Sequence, residues 1–157
     1  MLKITYLVLP ILILLSACSE EAKKTPLPSP TPLQSSRAEA VRVQHILIGF
    51  SGSIPGKKIE RTPEEAKRLA EDLLNQAKIT PEKFEDLVRA KSDDQVPGIY
   101  ELVDFGKAPF EGQFSRSTMV QGFGDLAFRL KPGEIGLVNF DAKKSPFGFH
   151  IMKRLAP

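Results

Sequence analysis

Apolar and polar residues alternate over Val41-Arg42-Val43-Gln44 and run on into His45-Ile46-Leu47-Ile48, a short β-branched-rich stretch that reads as a strand. The two-residue period of a strand puts Val41, Val43, His45 and Leu47 on one face. Residues 49–61 break the pattern with three glycines, Pro55 and two serines, and read as a loop. Thr62-Pro63-Glu64-Glu65 then has the form of a helix start, with Thr at the N-cap, Pro in the first turn and Glu placed to close a capping box. Ala66, Leu69, Ala70, Leu73, Leu74 and Ala77 follow at three- and four-residue spacing, one face of a helix. A second start, Thr80-Pro81-Glu82, opens a shorter helix with Phe84, Leu87 and Val88 inward, stopped by Ser92-Asp93-Asp94.

Further along, residues 100–105 read as a strand and 106–118 as irregular chain. Helical spacing returns over 119–130 through Phe123, Leu126, Ala127 and Leu130, weakened by Gly122 and Gly124. Lys131-Pro132-Gly133-Glu134 is a turn with Pro and Gly at its two central positions, and 135–140 and 147–155 are the last two strands. The order is strand, two helices, strand, helix, two strands. It predicts an α+β domain with a small, four-stranded, mostly antiparallel sheet and three to four helices.

The first residues follow a different logic. Lys3 is followed by an apolar stretch over residues 6–15, interrupted by Pro10 and closed by Ser16-Ala17-Cys18-Ser19. The stretch is short of the roughly 20 residues that a membrane-spanning helix needs, and reads as a signal peptide over residues 1–17. Residues 18–39 hold Thr25-Pro26-Leu27-Pro28-Ser29-Pro30-Thr31-Pro32. Alternating proline favours extended backbone, at about 3.1 Å per residue, and forbids a helix, so this stretch reads as a tether. Residues 40–157 are then the folded domain.

Charge adds an exclusion. The 22 Lys plus Arg against 19 Asp plus Glu give +3, and the signs alternate, as in Glu64-Glu65-Ala66-Lys67-Arg68. No one-signed stripe is present to neutralise a phosphate backbone, so nucleic acid is not the expected partner. Cys18 is the single cysteine, which rules out an intramolecular disulfide.

Two resemblances draw these observations together. Leu15-Ser16-Ala17-Cys18 resembles the lipobox of bacterial lipoproteins. It implies cleavage before Cys18, lipidation of its thiol and a location in the cell envelope. Ser19, in place of an Asp that would retain a lipoprotein at the inner membrane, leans toward the outer membrane or an outward face. Within the domain, four segments resemble the parvulin family of peptidyl-prolyl isomerases. They are Val43-Gln44-His45-Ile46-Leu47-Ile48; Ser92-Asp93-Asp94; Ser115-Arg116-Ser117-Thr118-Met119-Val120-Gln121-Gly122-Phe123; and Lys131-Pro132-Gly133-Glu134-Ile135 with Phe147-Gly148-Phe149-His150-Ile151-Met152-Lys153. They run in family order over residues 42–154. The departure is at Pro97-Gly98-Ile99-Tyr100-Glu101-Leu102-Val103-Asp104-Phe105-Gly106, where the family has Gly-Gly-Asp-Leu-Gly and after which extra residues follow. Tyr100, Leu102 and Phe114 are the candidates for the pocket wall affected.

The resemblance implies a parvulin-like fold, rotation about Xaa-Pro bonds, no cofactor, no metal, and unfolded or partly folded proline-containing polypeptides as partners. It places His45 and His150, the only two histidines, in a hydrogen-bonded pair beneath the catalytic group. Asp94 takes the position of the family's Asp or Cys near the substrate carbonyl, with Asp93 the alternative one residue away. Ser145 stands where a Thr commonly joins the histidines. Met119 and Phe123, four apart on the predicted helix, are assigned to the proline pocket; spacing alone favours core packing for them. Two histidines with Asp94 also admit a metal site, which the family does not need. Lys57, Lys58 and Arg61 lie in the loop where phosphate-selective relatives carry a basic cluster, but no phosphate requirement is expected here. The rival to an enzyme is a parvulin-fold lipoprotein chaperone that binds peptides without turnover, motivated by the altered Gly-Gly-Asp-Leu-Gly region.

Overall fold

A computed structural model describes residues 39–156. The expected signal peptide, Cys18 and the tether up to residue 38 lie outside the described residues. Five strands form one sheet in the order β3-β2-β1-β5-β4: β1 is Ala40–Ile48, β2 Ile99–Val103, β3 Gln113–Ser115, β4 Ile135–Val138 and β5 Phe149–Arg154. The helices are α1, Pro63–Ile79; α2, Phe84–Lys91; and α3, Gln121–Arg129. All strand pairs are antiparallel except β2 with β3.

The four-stranded expectation is therefore corrected to five. Within the stretch read as irregular, Gln113, Phe114 and Ser115 pair in parallel with Glu101, Leu102 and Val103. Three residues are too few to show an alternating pattern, and their partners lie well away in sequence. The expected helical stretch 119–130 also starts late. Residues Arg116–Thr118 form a 3-10 turn, Met119 and Val120 are extended, and α3 begins only at Gln121.

β1 is the central strand, so both of its faces are covered. Residues Ile46 and Ile48 pack with Ile151 and Phe149 of β5 against α1 and α2, through Ala66, Ala70, Leu73, Phe84 and Val88. Val41 and Val43 on the opposite face pack with Leu102 and Met152 against Phe123, Leu126 and Ala127 of α3. The predicted cap of α1 forms in full: the Glu65 amide donates to Thr62 Oγ1 at 3.2 Å and the Thr62 amide to Glu65 Oε2 at 2.8 Å. At the other helix start, Pro81–Lys83 makes a 3-10 turn before α2. The turn before β4 closes with the Glu134 amide on Lys131 O at 2.9 Å. Two helices, α1 and α2, cover one face of the sheet, while α3 alone covers the other. The far end of that second face holds His45, Leu47 and His150.

Candidate active site

The sheet register brings the histidines together. His45 pairs with Met152, and Leu47 with His150, so the two histidines lie diagonally on adjacent strands and on one face. Both are buried, at 2% and 3% exposure. Their rings stack with centroids 5.5 Å apart, and the two Nδ1 atoms are 3.4 Å from each other. Phe123 from α3 meets both rings edge-on at 5.0 and 5.5 Å, and Tyr100 from β2 meets His45 edge-on at 5.1 Å.

Asp94 arrives by a separate route. After α2 ends, the Ser92 hydroxyl accepts from the amides of Leu47 at 3.1 Å and Asp94 at 3.2 Å, and the Asp93 amide donates to Leu47 O at 2.7 Å. This stitching along β1 turns the two acids in opposite directions. Asp93 faces the 49–61 loop, where its carboxylate accepts from the Gly49 amide at 2.8 Å and from the Arg61 guanidinium. Lys57 donates to the Asp93 carbonyl, and Lys58 lies beside Glu60. Asp94 faces the histidines: its Oδ2 accepts from His45 Nε2 at 2.9 Å and from the Tyr100 hydroxyl at 2.8 Å. Of the two acids considered from the sequence, the geometry puts Asp94 with the imidazoles.

Gly98 makes the connection between Asp94 and Tyr100 possible. Its φ is +66°, its carbonyl accepts from the His45 amide at 2.9 Å, and a Cβ there would sit 2.6 Å from His45 O. Only glycine adopts that conformation at such close approach without strain.

The environment sets the charges. The hydrogen bond from His45 holds the Asp94 carboxyl well below the usual carboxylate range, against an opposing effect of burial, and the Tyr100 hydroxyl adds to the lowering. Burial, with the Asp94 carboxylate beside it, pushes the Tyr100 phenol up to about 12. Burial, reinforced by the neighbouring His45, lowers His150 to about 3. At neutral pH the site thus presents an ionised carboxylate, a neutral phenol that donates to it and a neutral His150. In the tautomer in which His45 donates from Nε2 alone, its Nδ1 can accept from His150 Nδ1–H. That tautomer leaves His150 Nε2, which has no partner among the described residues, as a bare lone pair rather than an orphaned N–H.

Beside these groups opens a cavity of about 330 Å³, the scale of a small-ligand pocket. Leu47, Ile54, Met119, Val120, Phe123 and Phe147 give it an apolar lining, and Asp94, Tyr100, Thr118 and the two histidines add polar groups. Among the described residues no Lys or Arg lines it. Met119 and Phe123 both reach the cavity, but not as neighbours on one helix, because Met119 precedes α3 in extended backbone. Arg116, buried between Asp104 and Asp125 with its guanidinium over Phe105 and Phe128, fixes the turn from which Met119 projects.

The structure thus gathers His45, Asp94, Met119, Phe123 and His150 at one cavity, and leaves Ser145 outside the hydrogen-bonded group. Ser145 is fully buried, and its hydroxyl donates to Gly148 O at 3.1 Å, shaping the turn before β5. Of the three wall candidates, Tyr100 lines the cavity, Leu102 lies in the core, and Phe114 lies next to Tyr100 with ring centroids 5.5 Å apart. Ile54 and Phe147 are cavity residues that sequence reasoning missed: the first lies in a loop and the second just before a strand, with no periodicity to mark either. Among the described residues no group of three or more His, Cys, Asp or Glu side chains is arranged to hold a metal ion, and no helix is long and apolar enough to cross a membrane.

Known proteins are similar to this chain. Residues 32–157 match the model of a family described as the PPIC-type PPIase domain. The chain is 32% identical over 134 residues to the peptidyl-prolyl cis-trans isomerase pin1 of Schizosaccharomyces pombe, covering 82% of this chain and 69% of that protein. It is 27% identical over 127 residues to the foldase protein PrsA of Staphylococcus aureus, covering 77% of this chain but only 34% of that longer relative. The solution structure of TbPIN1 superposes with a TM-score of 0.56 at 26% identity, over 76% of this chain and 99% of that one. With the family model spanning most of the chain, and its histidines, acid and apolar pocket assembled on one face of the sheet, the protein belongs to the PPIC-type, or parvulin, family of peptidyl-prolyl cis/trans isomerases and acts on proline-containing peptides.

Proposed function

We propose that this isomerase accelerates rotation about Xaa-Pro bonds in exported polypeptides, with Asp94 as the catalytic residue and Met119 and Phe123 as the grip on the proline ring. The observation that carries this reading is the Asp94 carboxylate, held by His45 and Tyr100 at the edge of a mainly apolar cavity.

The reaction needs little chemistry. The trans form is favoured by only about 0.5–1 kcal/mol before proline, yet a barrier of about 18–20 kcal/mol separates the isomers, because rotation breaks the conjugation of nitrogen with the carbonyl. Planar amide carries excess negative charge on oxygen; the half-rotated amide carries less. An ionised carboxylate facing that oxygen therefore repels the planar forms more than the twisted one. A cavity with little water acts in the same direction, because the twisted amide has the smaller dipole. Both effects are differential binding of the transition state. His45 and Tyr100 act through Asp94 as positioning residues: they hold its oxygens in place and keep it ionised. His150 orders His45 through the Nδ1 contact, and Ser145 supports His150 by shaping the preceding turn.

The pairing of Arg61 and Lys57 with Asp93 supports the expectation that no phosphate is required, since these cations are already engaged. For the setting, the Leu15-Ser16-Ala17-Cys18 motif after an apolar stretch supports a lipidated Cys18 and a cell-envelope location. The likeness to a protein named a foldase supports a role in folding exported chains. A protease-coupled assay on Xaa-Pro tetrapeptides tests the core of this reading. Acceleration is expected, and peptide binding without acceleration would instead favour the chaperone. Cys18→Ser is expected to keep turnover and to leave the membrane fraction; a mutant that still sediments with membranes removes the anchor from the account.

A further inference from the structure

The departure from Gly-Gly-Asp-Leu-Gly leaves a mark on the substrate face. The residues after β2 lead away and return as β3, which pairs in parallel with β2 and places Phe114 opposite Leu102. Residues in register on neighbouring strands share a face, and Tyr100 shares Leu102's face by the two-residue period. Phe114 and Tyr100 therefore stand side by side on the same side of the sheet as His45, their rings 5.5 Å apart and tilted by 49°. Tyr100 lines the cavity, and its hydroxyl is on Asp94. Phe114 is 43% exposed, with β3 at the edge of the sheet and no further strand beyond it among the described residues.

The segment that creates this edge is firmly held. Asp104 and Phe105, at its start, are clamped by the buried Arg116, which also binds Asp125 of α3. The tip is closed by reciprocal bonds: the Phe110 amide donates to Gln113 Oε1 at 3.0 Å and the Gln113 amide to Phe110 O at 3.0 Å. Gln113 Nε2 in turn donates to Glu101. Phe114 is thus presented on a built strand that continues the apolar surface of the site outward from Tyr100.

We infer that Phe114 is a specificity-determining residue, forming with Tyr100 a shelf that receives a large apolar side chain flanking the substrate proline. The inference rests on the proposed reading of the cavity as the proline site. Its chemistry follows from the surroundings. Two aromatic rings offer an apolar side chain a desolvated surface. The nearest fixed charge on the cavity is the Asp94 carboxylate, and no described Lys or Arg lines the cavity, so an acidic side chain would meet repulsion without a partner. The substrate class selected is then an unfolded segment in which proline has a bulky apolar neighbour, as in chains that have not yet buried their cores.

The test uses the full chain and two series of Xaa-Pro tetrapeptides, one varied before the proline and one after it, each with Gly, Glu, Leu and Phe. Wild type is expected to favour Leu and Phe over Gly by about tenfold in kcat/KM on one of the two flanks, the discrimination expected of one large apolar contact. In Phe114→Ala that ratio is expected to fall to about twofold, with Phe114→Leu between the two. Phe110→Ala, at an 81%-exposed turn position outside the cavity, is the control and is expected to keep the wild-type ratio. A ratio unchanged in Phe114→Ala, or a wild type indifferent to both flanks, overturns the inference. Failure of wild type to turn over any peptide would instead overturn the isomerase reading beneath it. Because the readout is a ratio between peptides, a general loss of folded protein does not mimic the expected result.

Discussion

The two faces of the sheet are built from the same strands but do different work. On one, Ile46 and Ile48 of β1 meet α1 and α2, and the buried set from Ala66 to Val88 seals that face. On the other, the neighbouring β1 residues Val41 and Val43 are covered by α3, while His45 and Leu47 line a cavity. The sealed face buries mainly apolar groups, with Gln44 satisfied by donating to Pro97 O, and serves stability. The open face buries polar groups in a network, His150 to His45 to Asp94 to Tyr100, with one lone pair unsatisfied. An arrangement of that kind stabilises poorly for the area it occupies, which marks it as kept for chemistry. A single strand thus carries core residues on one face and, toward its end, the groups proposed for the reaction on the other.

The largest expected effect separates the faces by stability. Phe84→Ala removes a buried ring from the sealed face and should destabilise the domain by about 3–4 kcal/mol. The folded fraction should keep kcat/KM within about twofold, because Phe84 packs in the sealed cluster and does not line the cavity. Urea unfolding together with the peptide assay reads both quantities, and a proportionate loss of specific activity would merge the faces into one unit.

Gly98→Ala probes the place where the two roles meet. The added methyl would strike His45 O and force a residue with a Cβ to φ +66°. Costs of about 2 kcal/mol are expected from strain and overlap. Turnover should fall at least about tenfold as well, since the same turn carries Asp94 and Tyr100. If stability drops while turnover survives, the turn does not position the acid.

Acid should act through the open face. Folded His150 has its pKa lowered to about 3, against 6.5 ordinarily, so between those values the unfolded chain binds a proton that the folded chain refuses. Its contribution to stability is complete above about pH 6.5 and is lost as pH falls toward 3, at up to about 1.4 kcal/mol per pH unit. Asp94, also lowered, begins to withdraw its share only below the usual carboxylate range. Urea midpoints compared at pH 7.5 and 5 should therefore decrease with acid, and a midpoint that stays level or rises contradicts the burial of a neutral His150.

Tyr100→Phe is the gentlest change. It removes one donor to Asp94 and keeps the ring, and should lower kcat/KM by about three- to fivefold, the loss of one hydrogen bond of ordinary strength to a charged group that keeps its other partner. An unchanged rate would leave the phenol a wall and nothing more.

Much of this is legible in the residues. Thr62-Pro63-Glu64-Glu65 encodes its own cap, because the interaction is local and complete within four residues. The two-residue period of β1 puts His45 with Val41 and Val43, and the structure keeps them on one face. What escapes the sequence are features fixed by distant contacts. β3 exists because Gln113, Phe114 and Ser115 find β2, which no local pattern announces. Spacing puts Met119 on a helix that in fact starts two residues later, since the 3-10 turn at Arg116–Thr118 answers to a buried ion pair with Asp104 and Asp125 rather than to helical spacing. The resemblance puts Ser145 among the histidines; its hydroxyl turns instead to Gly148 O, a choice made by the turn geometry. For Tyr100, the altered motif narrows the wall to three residues on one face, and only their places on the sheet separate them, Tyr100 at the cavity and Leu102 in the core.

The central claim is electrostatic: a negative charge on Asp94 disfavours the planar amide. Asp94→Asn keeps size and shape but removes that charge, and the measurement is kcat and KM, taken separately, for this variant on an Ala-Pro tetrapeptide, alongside its peptide affinity. The account predicts a loss of about a hundredfold in kcat with tighter peptide binding, since removing the charge relieves the planar forms more than the twisted state. An Asp94→Asn protein that turns over as fast as wild type would contradict it.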